Sequence, residues 1–142
     1  MIDTFIVTPA TINRLKARLD SDVPVVLLYH MNTCPHCIMM RAAWEATKQF
    51  LSFYTGLCIA EVEYGQMHLL PKELQGIRGF PTIKIFNKGT SIEYAGDRSQ
   101  DSMSSFILKN ARPVKATKRK PVAKPKKRTF VVKKNRAAPK KA

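Results

Sequence analysis

Residues 33–37 of this chain read Thr33-Cys34-Pro35-His36-Cys37, a pair of cysteines separated by two residues. An apolar run that predicts a strand precedes this stretch, and an amphipathic run that predicts a helix follows it. A helix that begins here points its free N–H groups and positive dipole end at Cys34, which lowers the pKa of that thiol. Cys37 lies one helical turn later, close enough to form a disulfide with Cys34. The stretch therefore predicts a redox-active dithiol.

Two other interpretations of the cysteine pair are a zinc site and a pair of inert core thiols. A structural zinc site normally takes four ligands. The remaining candidates, Cys58, His30 and His68, do not lie at the spacing of such a site. We expect Cys58 to be a small buried hydrophobic residue, and we assign no role to the two histidines. The sequence therefore predicts no metal site and favours redox chemistry.

The net charge of +15 is unevenly distributed along the chain. Residues 1–108 contain 10 Lys or Arg and 10 Asp or Glu, whereas residues 109–142 contain 15 Lys or Arg and no acidic residue. With 142 residues and 44% hydrophobic content, the chain is long enough for one domain with its own core. We predict a folded domain over residues 1–110 and a basic tail over residues 111–142.

The order of the apolar patterns predicts an α/β fold. Thr8 and Pro9 are residue types typical of a helix N-cap and first helical position, so we expect the first helix to begin there. The predicted strands are 5–7, 23–31, 57–62, 82–86 and 91–94, and the predicted helices are 8–19, 38–53, 66–76 and 97–110. The order β-α-β-α-β-α-β-β-α predicts three layers, with helices on both faces of a central mixed sheet.

Several segments of the chain together resemble one known family. They are the strand 25–29, the cysteine stretch, the segment Ile77-Arg78-Gly79-Phe80-Pro81-Thr82, the turn at Lys88-Gly89, and Gly96. Over about residues 1–110 the chain resembles the thioredoxin superfamily, which implies a thioredoxin-like three-layer α/β/α fold. The resemblance implies a disulfide oxidoreductase without a cofactor that acts on protein thiols and disulfides, with Cys34 as nucleophile and Cys37 as resolving thiol. It also implies a cis peptide between Phe80 and Pro81, in a loop where both residues shape the substrate groove.

The dipeptide between the cysteines bears on the direction of electron flow. Pro35-His36 is similar to the pair in bacterial periplasmic disulfide oxidases, and differs from the Gly-Pro of thioredoxins. At a helix start, His36 can donate to the Cys34 sulfur, or pair with it when protonated. Stabilising the thiolate stabilises the reduced protein, which makes the disulfide more oxidising. We therefore count Pro35 and His36 among the catalytic residues and expect the pKa of Cys34 to lie below that of a free thiol.

The chain departs from the family pattern at three positions. Thr33 stands where a tryptophan usually precedes the first cysteine, Leu28 replaces a buried acid, and Ala42 replaces a helix-kinking proline. The missing acid is the usual proton acceptor for the resolving thiol Cys37. We expect Glu61, on the neighbouring predicted strand, to take that role.

The tail is rich in lysine, proline and alanine, with four prolines and no glycine in residues 111–142. Such a segment cannot bury enough apolar surface to offset its ordering entropy, so we expect it to be disordered or extended when alone. Its charge predicts attachment to a polyanion, either nucleic acid or an acidic assembly surface. Lys118 to Lys120 and Lys124 to Arg128 also have the composition of a nuclear localisation signal. The β-prone stretch 129–132 suggests an arm that adds as a strand to a neighbouring sheet.

These features leave two function classes open. The first is a thiol–disulfide oxidoreductase that its tail tethers to nucleic acid or an assembly. The second is a structural or virion component that uses a thioredoxin-like module, with the tail as a lacing or nucleic-acid-binding arm. The N-terminal residues lack the pattern of a secretory signal, and no apolar run approaches the roughly 20 residues of a membrane span. The sequence thus predicts a cytoplasmic or nuclear protein that is not secreted, with association with a virion as an alternative.

Overall fold

A computed structural model of the protein describes residues 2–116. Its main sheet has five strands in the order β1-β4-β2-β5-β6. Strands β1, β4 and β2 run parallel, and β5 and β6 run antiparallel to their neighbours. The strands of this sheet are β1 Asp3–Ile6, β2 Val25–His30, β4 Cys58–Glu63, β5 Thr82–Asn87 and β6 Thr90–Glu93. The helices are α1 Ile12–Leu19, α2 Pro35–Leu51 and α3 Gln100–Ala111. This is the predicted thioredoxin-like α/β fold with a central mixed sheet.

Strand β2 is the centre of the sheet, and all six of its residues are buried. Its side chains alternate between two hydrophobic clusters, as the pleat of a strand requires. Val26 and Leu28 pack on the side of α2 and α3, whereas Val25, Leu27 and Tyr29 pack on the side of α1. Burial on both faces explains why this segment is apolar throughout.

Two of the predicted helices, 8–19 and 66–76, differ from the observed structure for local reasons. Helix α1 begins at Ile12, because the Thr8 N–H donates to the Thr11 hydroxyl (2.8 Å) and residues 9–11 form a turn. The predicted helix 66–76 is instead two short 3₁₀ helices, Tyr64–Leu69 and Lys72–Leu74. Leu70 precedes a proline and is extended, with φ −70° and ψ 150°, since the α conformation is disfavoured at such a position.

The first residues after α3 pair with the segment that follows α2. Strand β3 (Tyr54–Thr55) and strand β7 (Val114–Lys115) form a two-stranded antiparallel sheet that the sequence patterns do not predict. The Ala116 N–H also donates to the carbonyl oxygen of Phe53 at 2.7 Å. Residues 114–116, within the predicted tail, are therefore anchored beside the C-terminal end of α2.

The β5–β6 hairpin forms at the predicted turn. Lys88 and Gly89 have φ values of 48° and 80°, the pair of positive values that a two-residue turn of this hand needs. None of the helices within residues 2–116 is both long and apolar enough to span a bilayer. The predictions on residues 117–142, including the basic clusters and the stretch 129–132, lie outside the described residues.

Candidate active site

The two cysteines lie where strand β2 gives way to helix α2. Cys34 is the N-cap of α2 and Pro35 is its first residue, a position where the missing proline N–H removes no helical hydrogen bond. The Cys34 N–H donates to the carbonyl oxygen of Met31 at 3.0 Å, which closes the loop between strand and helix. Both cysteines are free thiols, Cys34 half-buried and Cys37 buried. The helix starts three residues earlier than predicted and includes Cys37.

The two thiols differ in their tendency to ionise. Hydrogen bonding from the backbone of Cys37 is the main cause that lowers the pKa of Cys34, helped by the Cys37 thiol, the His36 backbone and Arg98 against a smaller opposing effect of burial. Burial raises the pKa of Cys37, and the neighbouring Cys34 adds to this effect. Cys34 is therefore the more acidic of the two thiols.

His36 acts on Cys34 by a different route from the predicted one. Its side chain is exposed, and within residues 2–116 no hydrogen bond joins its ring to the Cys34 sulfur. The backbone of His36, at the helix N-terminus, is the part that lowers the pKa of Cys34. Its side chain lines an open cavity of about 480 Å³ beside the dithiol, together with Met39, Met40, Gly96, Asp97 and Arg98.

Arg98 is a site residue that the sequence does not reveal. It lies in the connection between β6 and α3, more than 60 residues after the cysteines, and its charge lowers the pKa of both thiols. An arginine next to an aspartate at the start of the predicted helix 97–110 has no distinguishing pattern, and the observed helix begins only at Gln100. Only the folded sheet, which returns this connection to the end where β2 stops, brings Arg98 to the dithiol.

The loop before β5 contributes the residues predicted to face a substrate. The peptide bond between Phe80 and Pro81 is cis, as the family resemblance implies. The Cys34 thiol donates to the carbonyl oxygen of Phe80 at 3.6 Å, so this loop directly contacts the reactive sulfur. The Phe80 ring also meets the Tyr64 ring edge-on, at a centroid distance of 5.8 Å. Tyr64 is 60% exposed, and the sequence does not single it out.

Glu63 holds the loop that carries Tyr64 against the loop that carries the cysteines. Its carboxylate accepts from the Gly65 N–H at 2.7 Å and from the Asn32 N–H at 3.1 Å. Hydrogen bonds from these two N–H groups, Gly65 first, lower the pKa of Glu63, so the carboxylate is ionised at neutral pH. Glu63 thus fixes the position of Tyr64 relative to the dithiol.

Glu61 is buried on the α2 side of the sheet. It lies beside Leu28, which stands where the family has its buried acid. Three side chains of α2 donate to its carboxylate, at 3.1 Å from Trp44, 3.3 Å from Arg41 and 2.5 Å from Lys48. Burial raises the pKa of Glu61, but Lys48, Trp44 and Arg41 together outweigh it and the net shift is downward. Glu61 is therefore an ionised carboxylate whose acceptor capacity is largely occupied.

Cys58 is remote from the dithiol. It pairs with Val25 at the start of β2, whereas the dithiol follows the end of that strand. Its side chain is fully buried, and burial raises the pKa of its thiol to about 11. Cys58 is the buried core residue that the sequence predicts. Across residues 2–116 no three His, Cys, Asp or Glu side chains are placed to share a metal ion.

The thioredoxin family model matches residues 6–109, which is most of the chain. This chain belongs to the thioredoxin family. A protein disulfide-isomerase like 2-2 of Arabidopsis thaliana is 32% identical over 92 residues, or 64% of this chain and 20% of that protein. A thioredoxin domain-containing protein of Theileria parva is 37% identical over 76 residues, or 53% of this chain and 33% of that protein.

Solved structures show the same fold. The J-Trx1 fragment of ERdj5 superposes with a TM-score of 0.65 at 22% identity, over 77% of this chain and 52% of that one. The first thioredoxin domain of mouse protein disulfide-isomerase A4 gives a TM-score of 0.58 at 24% identity, over 75% of this chain and 71% of that one. The chain spans about a fifth to a third of the length of the curated relatives described above. It corresponds to one thioredoxin domain of such proteins.

Proposed function

We propose that the protein is a thiol–disulfide oxidoreductase. The observation that carries the proposal is the opposite effect of the site on its two thiols, with the pKa of Cys34 lowered and that of Cys37 raised. The Cys34 thiolate attacks a substrate disulfide and forms a mixed disulfide. Cys37 then attacks Cys34, which closes the Cys34–Cys37 disulfide and releases the second substrate thiol. The reverse sequence oxidises a substrate dithiol.

The loop at Phe80-Pro81 is the proposed binding surface for the polypeptide substrate. Its contact with the Cys34 thiol through the Phe80 carbonyl places backbone polar groups next to the attacking sulfur. An extended substrate segment can pair with these groups as it would with the edge of a sheet. Pro35 fixes the first turn of α2 and thereby the orientation of Cys34 toward this surface.

The proton of Cys37 must reach a base before Cys37 can attack. Glu61, the acceptor predicted from the sequence, is ionised and so able to accept a proton in principle. Its two cationic partners and Trp44 favour the ionised form, which makes Glu61 a weak base. The Glu61→Gln variant tests this role. A resolution rate that is unchanged across pH would exclude Glu61.

The direction of electron flow is proposed to favour oxidation of substrates. A lowered pKa of Cys34 stabilises the reduced form and so raises the reduction potential of the disulfide. The backbone N–H groups at the start of α2 and the charge of Arg98 provide this stabilisation. Equilibration with glutathione redox buffers measures the potential. A value near about −270 mV, typical of thioredoxin, would contradict an oxidising role.

The activity itself is tested by reduction of insulin disulfides and by oxidation of a dithiol peptide. We expect wild type to be active and Cys34→Ser to be inactive in both assays. Cys58→Ser is a matched control, because Cys58 is buried and distant from the dithiol. Equal activity of wild type and Cys34→Ser would overturn the proposal and favour the structural interpretation.

The basic tail is proposed to bind a polyanion, either nucleic acid or an acidic assembly surface. The support is compositional, since residues 109–142 hold 15 Lys or Arg and no acidic residue. Binding through phosphates falls steeply as salt rises. DNA retention at several salt concentrations, with and without residues 117–142, tests the tail. Unchanged retention after truncation would contradict it. A lacing or virion role remains the alternative function. The truncation and the Cys34→Ser assay together distinguish it from the proposed oxidoreductase.

We propose an oxidising compartment, where disulfides form and persist, as the alternative to the predicted cytoplasm or nucleus. The support is that relatives of this chain are named protein disulfide-isomerases. Fractionation of the native protein with compartment markers distinguishes these locations.

A further inference from the structure

His30 is a buried titratable residue that the proposed mechanism has not used. It is the last residue of β2 and is only 7% exposed. Val26 and Leu28 pack against Met40 and Trp44 of α2, and the alternation of the strand puts His30 on the same face. The imidazole therefore lies under the first turns of the helix that carries the dithiol.

One nitrogen of this imidazole has no partner. Within residues 2–116, Nδ1 of His30 is buried and makes no hydrogen bond. A buried polar atom without a partner destabilises the fold, because the desolvation of that atom is not compensated. Phenylalanine has a ring of similar size and would fill this place without such a cost. A histidine with an unpartnered buried nitrogen close to a candidate active site therefore points to a functional reason for its presence.

The backbone connects His30 directly to both cysteines. Its neighbour Met31 accepts the Cys34 N–H at 3.0 Å, and the Met31 backbone also lowers the pKa of the Cys37 thiol. His30 thus immediately precedes the loop that leads into the dithiol, and it is buried at the end of β2 where helix α2 begins.

Burial and the charge of Arg41 together favour the neutral form of the His30 ring. Arg41 faces it from α2, and Glu61 and Glu63 face it from β4, while the two cysteines lie at the start of α2. Burial, followed by the charge of Arg41, lowers the pKa of His30 against the opposing effect of the two carboxylates. A neutral imidazole can accept a proton. Both carboxylates, by contrast, already accept hydrogen bonds from other groups.

We infer that His30, rather than Glu61, is the group that accepts the Cys37 proton when the mixed disulfide is resolved. This inference rests on the proposed function. In the step, the Cys37 sulfur forms a bond to the Cys34 sulfur and the bond between Cys34 and the substrate sulfur breaks. The substrate leaves with the electron pair as a thiolate, and the Cys37 proton moves to the His30 ring. The imidazolium then returns this proton to the departing thiolate or to solvent.

The test separates formation of the mixed disulfide from its resolution. Reduced protein is mixed with a peptide disulfide between pH 5 and pH 9, quenched in acid, and the mixed disulfide is quantified by mass spectrometry. We expect His30→Phe to slow resolution at least tenfold at pH 7 and to leave the formation rate within twofold of wild type. The same variant should unfold at a higher temperature, because it removes an unpartnered buried nitrogen.

Three further variants complete the experiment. His30→Gln keeps a polar side chain but removes the base, and should resolve as slowly as His30→Phe. His68→Phe, in an exposed position on a 3₁₀ helix, should change neither rate. Glu61→Gln should slow resolution less than His30→Phe does.

Either of two results would overturn the inference about His30 and leave the proposed function intact. The first is resolution within twofold of wild type in both His30 variants, and the second is an equal slowing of formation and resolution, which indicates a structural role. If wild type forms no mixed disulfide at all, the proposed function fails and the assignment of His30 fails with it.

Discussion

The ring of Tyr64 meets the ring of Phe80 edge-on, at a centroid distance of 5.8 Å and an interplanar angle of 78°. Phe80 is in turn bound through its carbonyl oxygen to the thiol of Cys34. Tyr64 therefore extends the surface around the reactive sulfur, although it belongs to the segment after β4 and not to the loop of Phe80. The exposed Tyr64 ring beside the half-buried Phe80 ring offers apolar contact area to a substrate side chain next to the substrate cysteine.

We predict that Tyr64→Ala weakens substrate binding without affecting the thiols. For a peptide disulfide with an aromatic residue beside its cysteine, KM should rise about 3- to 10-fold while the pKa of Cys34 stays unchanged. An aromatic contact of this kind is worth about 0.5–1.5 kcal/mol. Tyr64→Phe should behave as wild type, and Ile92→Ala, at an exposed apolar residue of β6, is the control. An unchanged KM for Tyr64→Ala would exclude this contact.

A second prediction concerns Arg98 and the pH dependence of alkylation. Since Arg98 lowers the pKa of both thiols, Arg98→Met should move both pKa values upward. The iodoacetamide rate of Cys34 follows its thiolate fraction, so its rise with pH should occur below 9.0 in wild type and at a higher pH in the variant. Lys72→Met, on a 3₁₀ helix remote from the dithiol, should leave the profile unchanged. Superimposable profiles for Arg98→Met and wild type would rule out this electrostatic effect.

The buried carboxylate of Glu61 leads to a prediction on stability. Glu61→Gln leaves the Lys48 and Arg41 donors without their charged partner, and should lower the free energy of unfolding at pH 7 by about 2 kcal/mol. The pKa of Glu61 is lower in the folded state, so its contribution is present above pH 4.5 and is lost as the pH falls through the folded value. Urea unfolding of both proteins at pH 7 and pH 3 measures this difference. If the difference in unfolding free energy between the two proteins does not narrow at pH 3, Glu61 is not an ionised, paired carboxylate in the folded state.

The buried His30 leads to a further prediction on how stability depends on pH, in which a base titrates and not a carboxylate. Its pKa is lowered from 6.5 in the folded state, so protonation favours the unfolded chain. The free energy of unfolding should therefore decrease as the pH falls below 6.5. Once the pH is below the pKa of His30 in the folded state, this residue should cause no further decrease. Thermal unfolding measures this effect: between pH 6.5 and pH 5, the unfolding temperature should fall less steeply with pH in His30→Phe than in wild type. Parallel slopes would indicate that His30 titrates normally in the folded protein.

Much of the fold is predictable because its strongest signals are local. The continuous apolar run of β2, the amphipathic spacing of α2 and the Lys88-Gly89 turn each determine their element without help from distant residues. The position of Cys34 at the start of a helix also follows from the sequence, and with it the direction in which its pKa is shifted. These features give the thioredoxin-like fold and the dithiol.

The rest depends on contacts between residues far apart in the chain. Arg98, Tyr64 and Glu63 reach the dithiol only through the order of the strands, and no local pattern marks them. The two-residue strands β3 and β7 are too short to show an alternation. The predicted role of the His36 ring was derived from residue type alone, whereas its backbone proves to be the part that acts on Cys34.

The pairing of β7 with β3 also fixes where the described chain ends relative to the dithiol. Helix α2 has 17 residues, so about 25 Å separates Cys34 at its start from the anchored residues 114–116 beyond its end. The described chain therefore ends at the opposite end of α2 from Cys34, and the Phe80-Pro81 loop lies on the Cys34 side. A partner that binds at residues 114–116 would leave the dithiol and this loop uncovered.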